Sequence, residues 1–218
     1  DSDDIKNAVG DVDVLEGSPP CAAFSSAGVR EKGWGEVRDY SDTKQRVDDL
    51  FDYYIRLISD LQPKVFIAEN VEGLARGKAR KYFFDCVAGM EAAGYVVSAK
   101  LLDAQWMNVA QRRKRIIFMG VRNDLELKPR FPSPLTHNYF ISEVLPHIKA
   151  IKRSGFKDNW QKPFQPAPTF TQSDGKRESL TGYMSSYLVR DRYSERRKWT
   201  IDELKYVSSF PEDFKLTG

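Results

Sequence analysis

The sequence predicts an α/β fold in which a mainly parallel sheet carries helices on both faces. Short apolar runs alternate with amphipathic segments over the first 122 residues, in the order strand, helix, strand, helix, strand. The 218 residues suffice for one domain of ordinary size, and a hydrophobic content of 41% supports a packed core. The two cysteines, Cys21 and Cys86, lie far apart, which argues against a disulfide framework or a metal site and suits a reducing cytoplasm.

Residue periodicity predicts the elements of this first part in order. Short apolar runs indicate strands, and apolar stripes at helical spacing indicate helices. Cys86 falls on the apolar stripe of the second helix, which predicts a core residue, and Gly94 ends that helix. A polar, glycine-containing loop is predicted over residues 24–45. The predicted strands are 12–15, 64–68, 95–102 and 115–121, the first two are expected to be buried, and the predicted helices are 46–61 and 78–93.

The last of these strands is predicted to run antiparallel to the others. Only residues 103–114 separate it from its predecessor, whereas a parallel return needs a longer crossover, usually a helix. An antiparallel strand begins at the edge where the parallel strands end. The side chains of Cys21, Glu69, Arg113 and Arg115 are therefore expected to converge on one rim of the sheet.

A Pro-Pro-Cys turn follows the first predicted strand, within residues 17–22. Proline locks φ and cannot continue a ladder, so the strand stops and Cys21 lies at its carboxyl end. Ligands bind at that edge in open α/β sheets. The alternative is a turn cysteine with no chemistry.

Two further polar segments adjoin predicted strands. Glu69 ends the second strand, where partial desolvation would suit a general acid. Taken alone, the favoured alternative is a strand-end glutamate that pairs with a nearby lysine or arginine. Residues 111–115, Gln-Arg-Arg-Lys-Arg, run into the last strand. Arg113 and Arg115 share a face there, because side chains of extended backbone repeat every second residue. At least one of them is expected to enter a cleft; the alternative is a solvated surface.

In this order, the three segments resemble the motifs of the DNA (cytosine-5) methyltransferase family. The matching residues are Pro20-Cys21, Glu69-Asn70-Val71 and Gln111-x-Arg113-x-Arg115. Residues 196–204, followed by Phe-Pro-Glu-Asp-Phe at 210–214, are similar to the family's late helix and its Phe-Pro-x-x-Phe tail, so the resemblance covers nearly the whole chain. It implies a Rossmann-like, S-adenosylmethionine-dependent methyltransferase sheet over residues 1–122, with a small DNA-recognition lobe and hinge helix over residues 123–218.

The resemblance also implies the reaction and the residues that perform it. The methyl group would pass from S-adenosylmethionine to carbon 5 of a cytosine flipped out of duplex DNA. Cys21 would form a covalent adduct at carbon 6, and Glu69 would bond the ring nitrogen beside the exocyclic amine. Arg115 or Arg113 would hold the exocyclic oxygen. The supporting residues would be Pro20, Asn70, Val71 and Gln111.

The family's methyl-donor pocket is only partly represented in the sequence. Ser18, Pro20 and Leu50 are the positions that can be carried over. No Phe-x-Gly-x-Gly turn precedes the Pro-Cys segment, and no Gly-Asn-x-Val follows residue 214. We therefore expect a partial sheet whose first strand is an exposed apolar edge. The chain would then be a fragment of a longer protein, a subunit of a split enzyme with a complementary partner, or a sequence lacking its ends.

Several groups of residues are candidates for contact with double-stranded DNA. The loop after Cys21 would act as a lid, and Ser25, Ser26, Arg30 and Lys32 would meet backbone phosphates or, alternatively, form ordinary surface. Seven basic residues of the second lobe are further phosphate candidates: Lys149, Lys152, Arg153, Lys157, Lys162, Lys176 and Arg177.

The second lobe is broken repeatedly by proline and shows little periodicity. Residues 168–170 and 187–189 are predicted to form short strands, and Thr200 to Glu203 is a capping box that opens the last helix. His137 and His147 have no identifiable partner and are expected at the surface.

Some features leave alternatives open. The chain has Ala22, Asn108 and Ala110 where the family usually has glutamine or serine, glycine and proline, which would alter rate or loop geometry. A net charge of +3 does not indicate nucleic acid without a local basic surface. With no signal peptide and no apolar run long enough to cross a bilayer, a cytoplasmic protein is expected. The resemblance implies a bacterial or phage origin. The alternatives are a relative that modifies transfer RNA and a non-catalytic DNA-binding remnant.

Overall fold

The computed structural model describes residues 2–19, 37–40, 43–46, 50–77, 79–153, 160, 162–169, 187–191 and 196–215. The chain divides into two compact units. Unit 1 contains Asp1–Leu102 and Lys114–Pro132, and unit 2 contains Asp103–Arg113 and Ser133–Gly218. In the described part of the chain, no helix combines the length and the apolar character needed to span a membrane.

Unit 1 has the strand and helix order that the sequence predicts, with additions. Its elements are α1 (Ser2–Val9), β1 (Val14–Gly17), β2 (Val37–Tyr40), β3 (Thr43–Arg46), α2 (Leu50–Leu61), β4 (Val65–Val71), α3 (Ala79–Ala92), β5 (Tyr95–Asp103) and β6 (Lys114–Arg122). The last residue of β5 already belongs to unit 2.

The central sheet of unit 1 has four strands in the order β1-β4-β6-β5. β1 runs parallel to β4, with Val14 opposite Val65. β6 runs antiparallel to β4, with Arg115 opposite Val71, which confirms the predicted direction of the last strand. The amino end of β6 and the carboxyl end of β4 therefore lie side by side, at one rim of the sheet.

The core of unit 1 forms where α2 and α3 cover the sheet. Cys86 is 1% exposed, which confirms its predicted core position. Gly94 ends α3 with φ +98°, as expected for a helix-terminating glycine. Gly120 is required by packing, since a β-carbon there would lie 2.0 Å from the ring of Phe66. The buried cluster consists of Phe51, Tyr54, Ile58, Phe66, Ala68, Leu74, Cys86, Met90, Tyr95, Ile116 and Phe118.

Four sequence predictions for unit 1 need correction. The first strand was expected over 12–15, but it spans Val14–Gly17; as the edge strand, with Val14 58% exposed, it contradicts the expectation of a buried strand and confirms that of an exposed edge. The first helix was expected from Arg46, but that residue ends β3. The predicted loop over 24–45 contains the antiparallel pair β2–β3. β4 continues to Val71, because it pairs with β6 along its whole length.

Unit 2 is built around a small antiparallel sheet in the order β7-β8-β9. Its elements are α4 (Ile141–Val144), β7 (Ile148–Arg153), β8 (Tyr187–Asp191), β9 (Arg196–Lys198) and α5 (Ile201–Val207). Its core residues are Ile141, Leu145, Ile148, Ile151, Ala167, Val189, Trp199 and Val207.

The sequence predictions for unit 2 have mixed outcomes. The strand at 187–189 is confirmed as part of β8. Pro168 and Thr169 are not in a strand, Phe170 lies outside the described residues, and only the neighbouring Ala167 forms an isolated bridge, to Gln111. The capping box of α5 is confirmed: Thr200 Oγ accepts a hydrogen bond from the Glu203 N–H at 3.2 Å, and the Glu203 carboxylate accepts one from the Thr200 N–H at 2.8 Å.

Candidate active site

The rim of the unit 1 sheet brings together two of the predicted catalytic residues. Glu69 lies near the carboxyl end of β4, and Arg115 is the second residue of β6. Arg115 Nε lies 2.8 Å from Glu69 Oε1, and the two side chains are 20% and 29% exposed. A second group of the same guanidinium, Nη1, donates to the Lys114 carbonyl at 2.8 Å. The pair is therefore oriented by the protein yet accessible from solvent.

The local sequence explains this arrangement. Alternate residues of β4 are buried, so Phe66, Ala68 and Asn70 face the helices while Glu69 lies on the other face. Arg115 stands opposite Val71 in the antiparallel register, which makes it the diagonal neighbour of Glu69. Diagonal neighbours on one face are within reach of a long side chain. The alternation of charged and apolar residues at both strand ends thus produces the pair.

Asn70 links this rim to the turn that precedes Cys21. Asn70 is 2% exposed, its Nδ2 donates to the Pro19 carbonyl at 3.1 Å, and its Oδ1 accepts from the Val71 N–H at 2.8 Å. A buried amide with both ends bonded is a strong positional restraint. The main chain two residues before Cys21 is therefore tied to the strand that carries Glu69.

Several predicted site residues lie outside the described residues: Pro20, Cys21, Ser25, Ser26, Arg30 and Lys32. The convergence of Cys21 on Glu69 and Arg115 consequently stays a prediction. Of the residues predicted to contact the methyl donor, Ser18 is exposed directly after β1, and Leu50 is half-buried at the start of α2. An exposed hydroxyl and an apolar side chain fit only part of such a ligand.

Unit 2 holds the first half of the Gln-Arg-Arg-Lys-Arg segment. Gln111 is 5% exposed, and its Nε2 lies 3.5 Å from Ser208 Oγ. The Arg112 N–H donates to the Ala167 carbonyl at 2.7 Å, and the Arg113 N–H donates to Asp103 Oδ1 at 3.2 Å. Gln111 therefore serves as a buried anchor of this segment, while Arg113 is half-buried.

The two departures from the family pattern in this loop have structural counterparts. Asn108 adopts φ +65°, the left-handed region that asparagine tolerates better than other residues with a β-carbon. An asparagine therefore suits a position where the family has glycine. Ala110 is 2% exposed, and its carbonyl accepts from the Ala167 N–H at 2.8 Å.

The basic residues proposed for phosphate contact are only partly within the described residues. Lys149 and Lys162 are exposed, and Lys149 Nζ donates to the Pro146 carbonyl at 2.9 Å. Lys152 and Arg153 lie in β7, where only their main chain is described. Lys157, Lys176 and Arg177 lie outside the described residues.

Sequence reasoning missed a buried ionic cluster in unit 2. Glu203 binds Arg197 through two contacts of 2.6 and 2.8 Å, and His147 Nε2 lies 2.6 Å from Glu203 Oε1. The expectation that His147 has no partner was therefore wrong, whereas the His137 ring makes an edge contact with Tyr139. The only signal was the cap position of Glu203, which does not reveal partners from β9 and from the residues before β7.

This cluster strongly favours the ionised form of its carboxyl group. Burial opposes ionisation of Glu203, but hydrogen bonds from Arg197, the Thr200 N–H and His147 outweigh it and lower its pKa to about 2. With its oxygens engaged by these donors inside a packed unit, Glu203 acts as a structural residue.

Comparison with known proteins gives a consistent result. The sequence profile described as "C-5 cytosine-specific DNA methylase" matches residues 1–195. The type II methyltransferase M.FnuDI of Fusobacterium nucleatum is 38% identical over 125 residues, which cover 57% of this chain and 33% of that protein. The type II methyltransferase M.BspRI of Lysinibacillus sphaericus is 31% identical over 191 residues, which cover 86% of this chain and 37% of that protein.

A solved structure supports the likeness of fold. The S. pombe Dnmt2 methyltransferase superposes with a TM-score of 0.60 at 15% identity, covering 97% of this chain and 70% of that chain. The chain thus has a mixed α/β fold with a partial sheet like that of Dnmt2, and it spans about a third of the length of the two relatives above. Since the profile matches far more than half of its length, the chain belongs to the C-5 cytosine-specific DNA methylase family.

Proposed function

We propose that this chain carries the catalytic residues of a DNA (cytosine-5) methyltransferase. The observation that supports this most directly is the Glu69–Arg115 pair at the sheet rim, in a chain of the C-5 cytosine-specific DNA methylase family. A carboxyl group and a guanidinium held 2.8 Å apart on an accessible face can meet adjacent polar atoms of one pyrimidine edge. The Asn70 bond to Pro19 supports a nearby position for Cys21.

The proposed chemistry begins with the thiolate of Cys21. Its sulfur forms a bond to carbon 6 of the cytosine, and the electron pair of the ring double bond moves toward carbon 5. Glu69 hydrogen-bonds the ring nitrogen and shares its proton as negative charge develops there, while Arg115 or Arg113 holds the exocyclic oxygen. When carbon 5 takes the methyl group, the bonding pair stays on the donor's sulfur. The carbon 5 proton then passes to solvent, the pair of that carbon–hydrogen bond restores the ring double bond, and the pair of the carbon 6–sulfur bond leaves with the thiolate of Cys21.

The methyl donor and the nucleic acid belong to the same proposal. S-adenosylmethionine, when bound, supplies an electrophilic methyl group. The residues of this chain proposed to contact it are Ser18, Pro20 and Leu50. The target cytosine must leave the stack of the double helix, because carbon 6 is shielded inside it. Ser25, Ser26, Arg30 and Lys32 are proposed to contact the phosphates that flank the extruded base.

The proposed reaction assigns a different role to each of the two parts of the chain. Residues 1–122 form the catalytic part, with a Rossmann-like sheet, and residues 123–218 form the target-recognition lobe and hinge helix. The three-stranded sheet and separate core of unit 2, which shares residues 133–218 with this second part, support an independent role for it. The relatives are type II methyltransferases, which supports a place in a bacterial restriction-modification system with double-stranded DNA as partner.

The decisive experiment incubates the protein with S-adenosylmethionine and duplex DNA that contains 5-fluorocytosine. The fluorine blocks proton loss from carbon 5, so a covalent protein–DNA adduct is expected to accumulate. Cys21→Ala should abolish the adduct. Cys86→Ala is the matched control, because burial raises the pKa of the Cys86 thiol to about 12 and leaves it unreactive.

Three results would contradict the proposal. An adduct that survives Cys21→Ala would exclude this nucleophile. Methylation of transfer RNA but not of duplex DNA would move the protein to a different substrate class. DNA binding without an adduct would indicate a non-catalytic remnant.

A further inference from the structure

The two ends of the loop between β5 and β6 are joined by the Asp103 carboxylate and by one main-chain hydrogen bond. Asp103 ends β5, and Arg113 immediately precedes β6. The Arg113 N–H donates to Asp103 Oδ1 at 3.2 Å, and the Arg113 carbonyl accepts from the Ala104 N–H at 3.0 Å. Both main-chain polar groups of Arg113 are thus bonded to the dipeptide Asp103-Ala104.

The carboxylate of Asp103 is held in turn by other side chains of unit 2. Gln105 Nε2 donates to Asp103 Oδ2 at 2.6 Å, and Asn138 Nδ2 donates to Gln105 Oε1 at 3.2 Å. A carboxylate can only accept, so the Gln105 amide must present its nitrogen to Asp103 and its oxygen to Asn138. The hydrogen bonds of Asn138 and Gln105 therefore point toward Asp103, which also accepts from the Arg113 N–H.

A helix cap explains only part of this arrangement. Asp103 is the N-cap of the short 3₁₀ turn Ala104–Trp106, and a cap accounts for its bond from the Gln105 N–H at 3.4 Å. It does not account for the bond from Arg113, ten residues along the chain, or for the support from Gln105 and Asn138. These extra contacts fix where the main chain enters β6.

We infer that Asp103 and Gln105 are positioning residues for the reaction, which hold the main chain of Arg113 and so set the position of its guanidinium. This inference rests on the proposed function, in which Arg113 or Arg115 binds the cytosine. A displacement of about 1 Å in a group that contacts substrate can lower a rate by about a hundredfold.

The test exploits the direction of the hydrogen-bond chain. Gln105 Nε2 now donates to Asp103 Oδ2 at 2.6 Å. In Gln105→Glu this donor is replaced by a carboxylate oxygen, and the two negative charges repel at that distance. Adding Asp103→Asn restores the bond between positions 103 and 105 with donor and acceptor exchanged: the asparagine at position 103 donates its amide to the glutamate and still accepts from the Arg113 N–H. The double variant should therefore recover what the single variant loses.

The measurements are kcat and KM for methylation of duplex DNA, together with hydrogen exchange at the Arg113 amide. For Gln105→Glu we expect kcat to fall by about 10-fold to 100-fold, with KM for DNA changed by less than about threefold. Exchange at the Arg113 amide should accelerate. The double variant should recover most of kcat and the slow exchange. Asp124→Asn is the matched control. Asp124 pairs with Arg122, the last residue of β6, at the opposite end of the strand from Arg113, so this variant should leave kcat unchanged.

The outcomes separate this inference from the function on which it rests. If the unmodified protein forms no adduct with 5-fluorocytosine DNA, both fail. If the protein is active but Gln105→Glu keeps the original kcat, only the positioning role is overturned. A loss of stability that the double variant repairs without repairing kcat would also overturn it, because the pair would then serve folding alone.

Discussion

Two glutamate–arginine pairs in this chain share their chemistry but differ in their surroundings. In unit 1, Arg115 Nε meets Glu69 at 2.8 Å, and the glutamate side chain is 29% exposed. In unit 2, Arg197 binds both oxygens of Glu203, whose side chain is only 6% exposed. The partly exposed Glu69 can exchange solvent for a ligand, whereas the Glu203 carboxylate is buried, although its partner Arg197 is 28% exposed.

The difference shows how burial decides the use of an ion pair. An exposed pair contributes little to stability, because water already solvates both charges. A buried pair is costly to break, since the remaining charge keeps no adequate partner. We therefore expect substitutions of Glu69 to affect the reaction and substitutions of Glu203 to affect folding.

The largest effect is expected from Glu69→Gln. Glutamine keeps the size of the side chain but cannot share a proton with the ring nitrogen, so kcat should fall by about 10² to 10⁴. The free energy of unfolding should change by less than about 1 kcal/mol. Single-turnover methylation and urea unfolding measure the two quantities. Asp85→Asn is the control, because Asp85 forms an exposed pair with Lys81 at 2.8 Å; activity equal to that control would refute the role of Glu69.

The next effect is expected from Glu203→Gln, which leaves Arg197 without its charged partner. We expect the free energy of unfolding to fall by about 2 kcal/mol, less than for a fully buried pair, because Arg197 is 28% exposed and glutamine retains an acceptor oxygen. Urea unfolding measures this loss. A loss below about 1 kcal/mol is what an exposed ion pair would show, and it would mean that the Arg197–Glu203 pair does not differ from the Arg115–Glu69 pair in its contribution to stability.

Acid should weaken the same cluster. The pKa of Glu203 is lowered from its usual value near 4.5 to about 2, so its contribution to stability is present above 4.5 and is lost as the pH falls toward 2. The stability difference between the unmodified protein and Glu203→Gln should therefore shrink over that interval. Urea midpoints for both proteins across the interval test this, and a constant difference would contradict it.

The smallest effect is expected from His147→Ala. This change removes one of the donors to Glu203 while Arg197 and the Thr200 N–H remain. A hydrogen bond to a charged group is worth about 1.5 to 3 kcal/mol, and the lower value is expected at a half-exposed imidazole. His137→Ala is the control, since His137 is exposed and contacts only the Tyr139 ring edge among the contacts described here. Equal thermal midpoints for the two variants would contradict the role of His147.

Local patterns in the chain predicted much of unit 1. Apolar runs and stripes indicated the order of strands and helices and the burial of Cys86, and the short connection over residues 103–114 indicated an antiparallel last strand. These features depend on residues close together in the chain. The β2–β3 pair escaped prediction because its residues are mainly polar and carry no strong apolar alternation.

The candidate residues and their convergence on one rim were predicted, and pairing of Glu69 with a lysine or arginine was an open alternative that the structure bears out. The motif spacing identified Glu69 and Arg115, but their diagonal pairing required the register of β4 against β6. The hydrogen bond from Asn70 to Pro19 joins residues 51 positions apart, and the periodicity of the sequence does not predict it. The same holds for His147 and Glu203, which are 56 positions apart.

The residue order of this chain was enough to establish its family, its candidate catalytic groups and the direction of its strands, because motifs and periodicity act over short stretches. The tertiary structure determined which charged side chains pair, which of them are buried, and which loop ends are joined by hydrogen bonds. Those outcomes depend on side chains from remote segments meeting at fixed distances, and on the water that packing removes from around them.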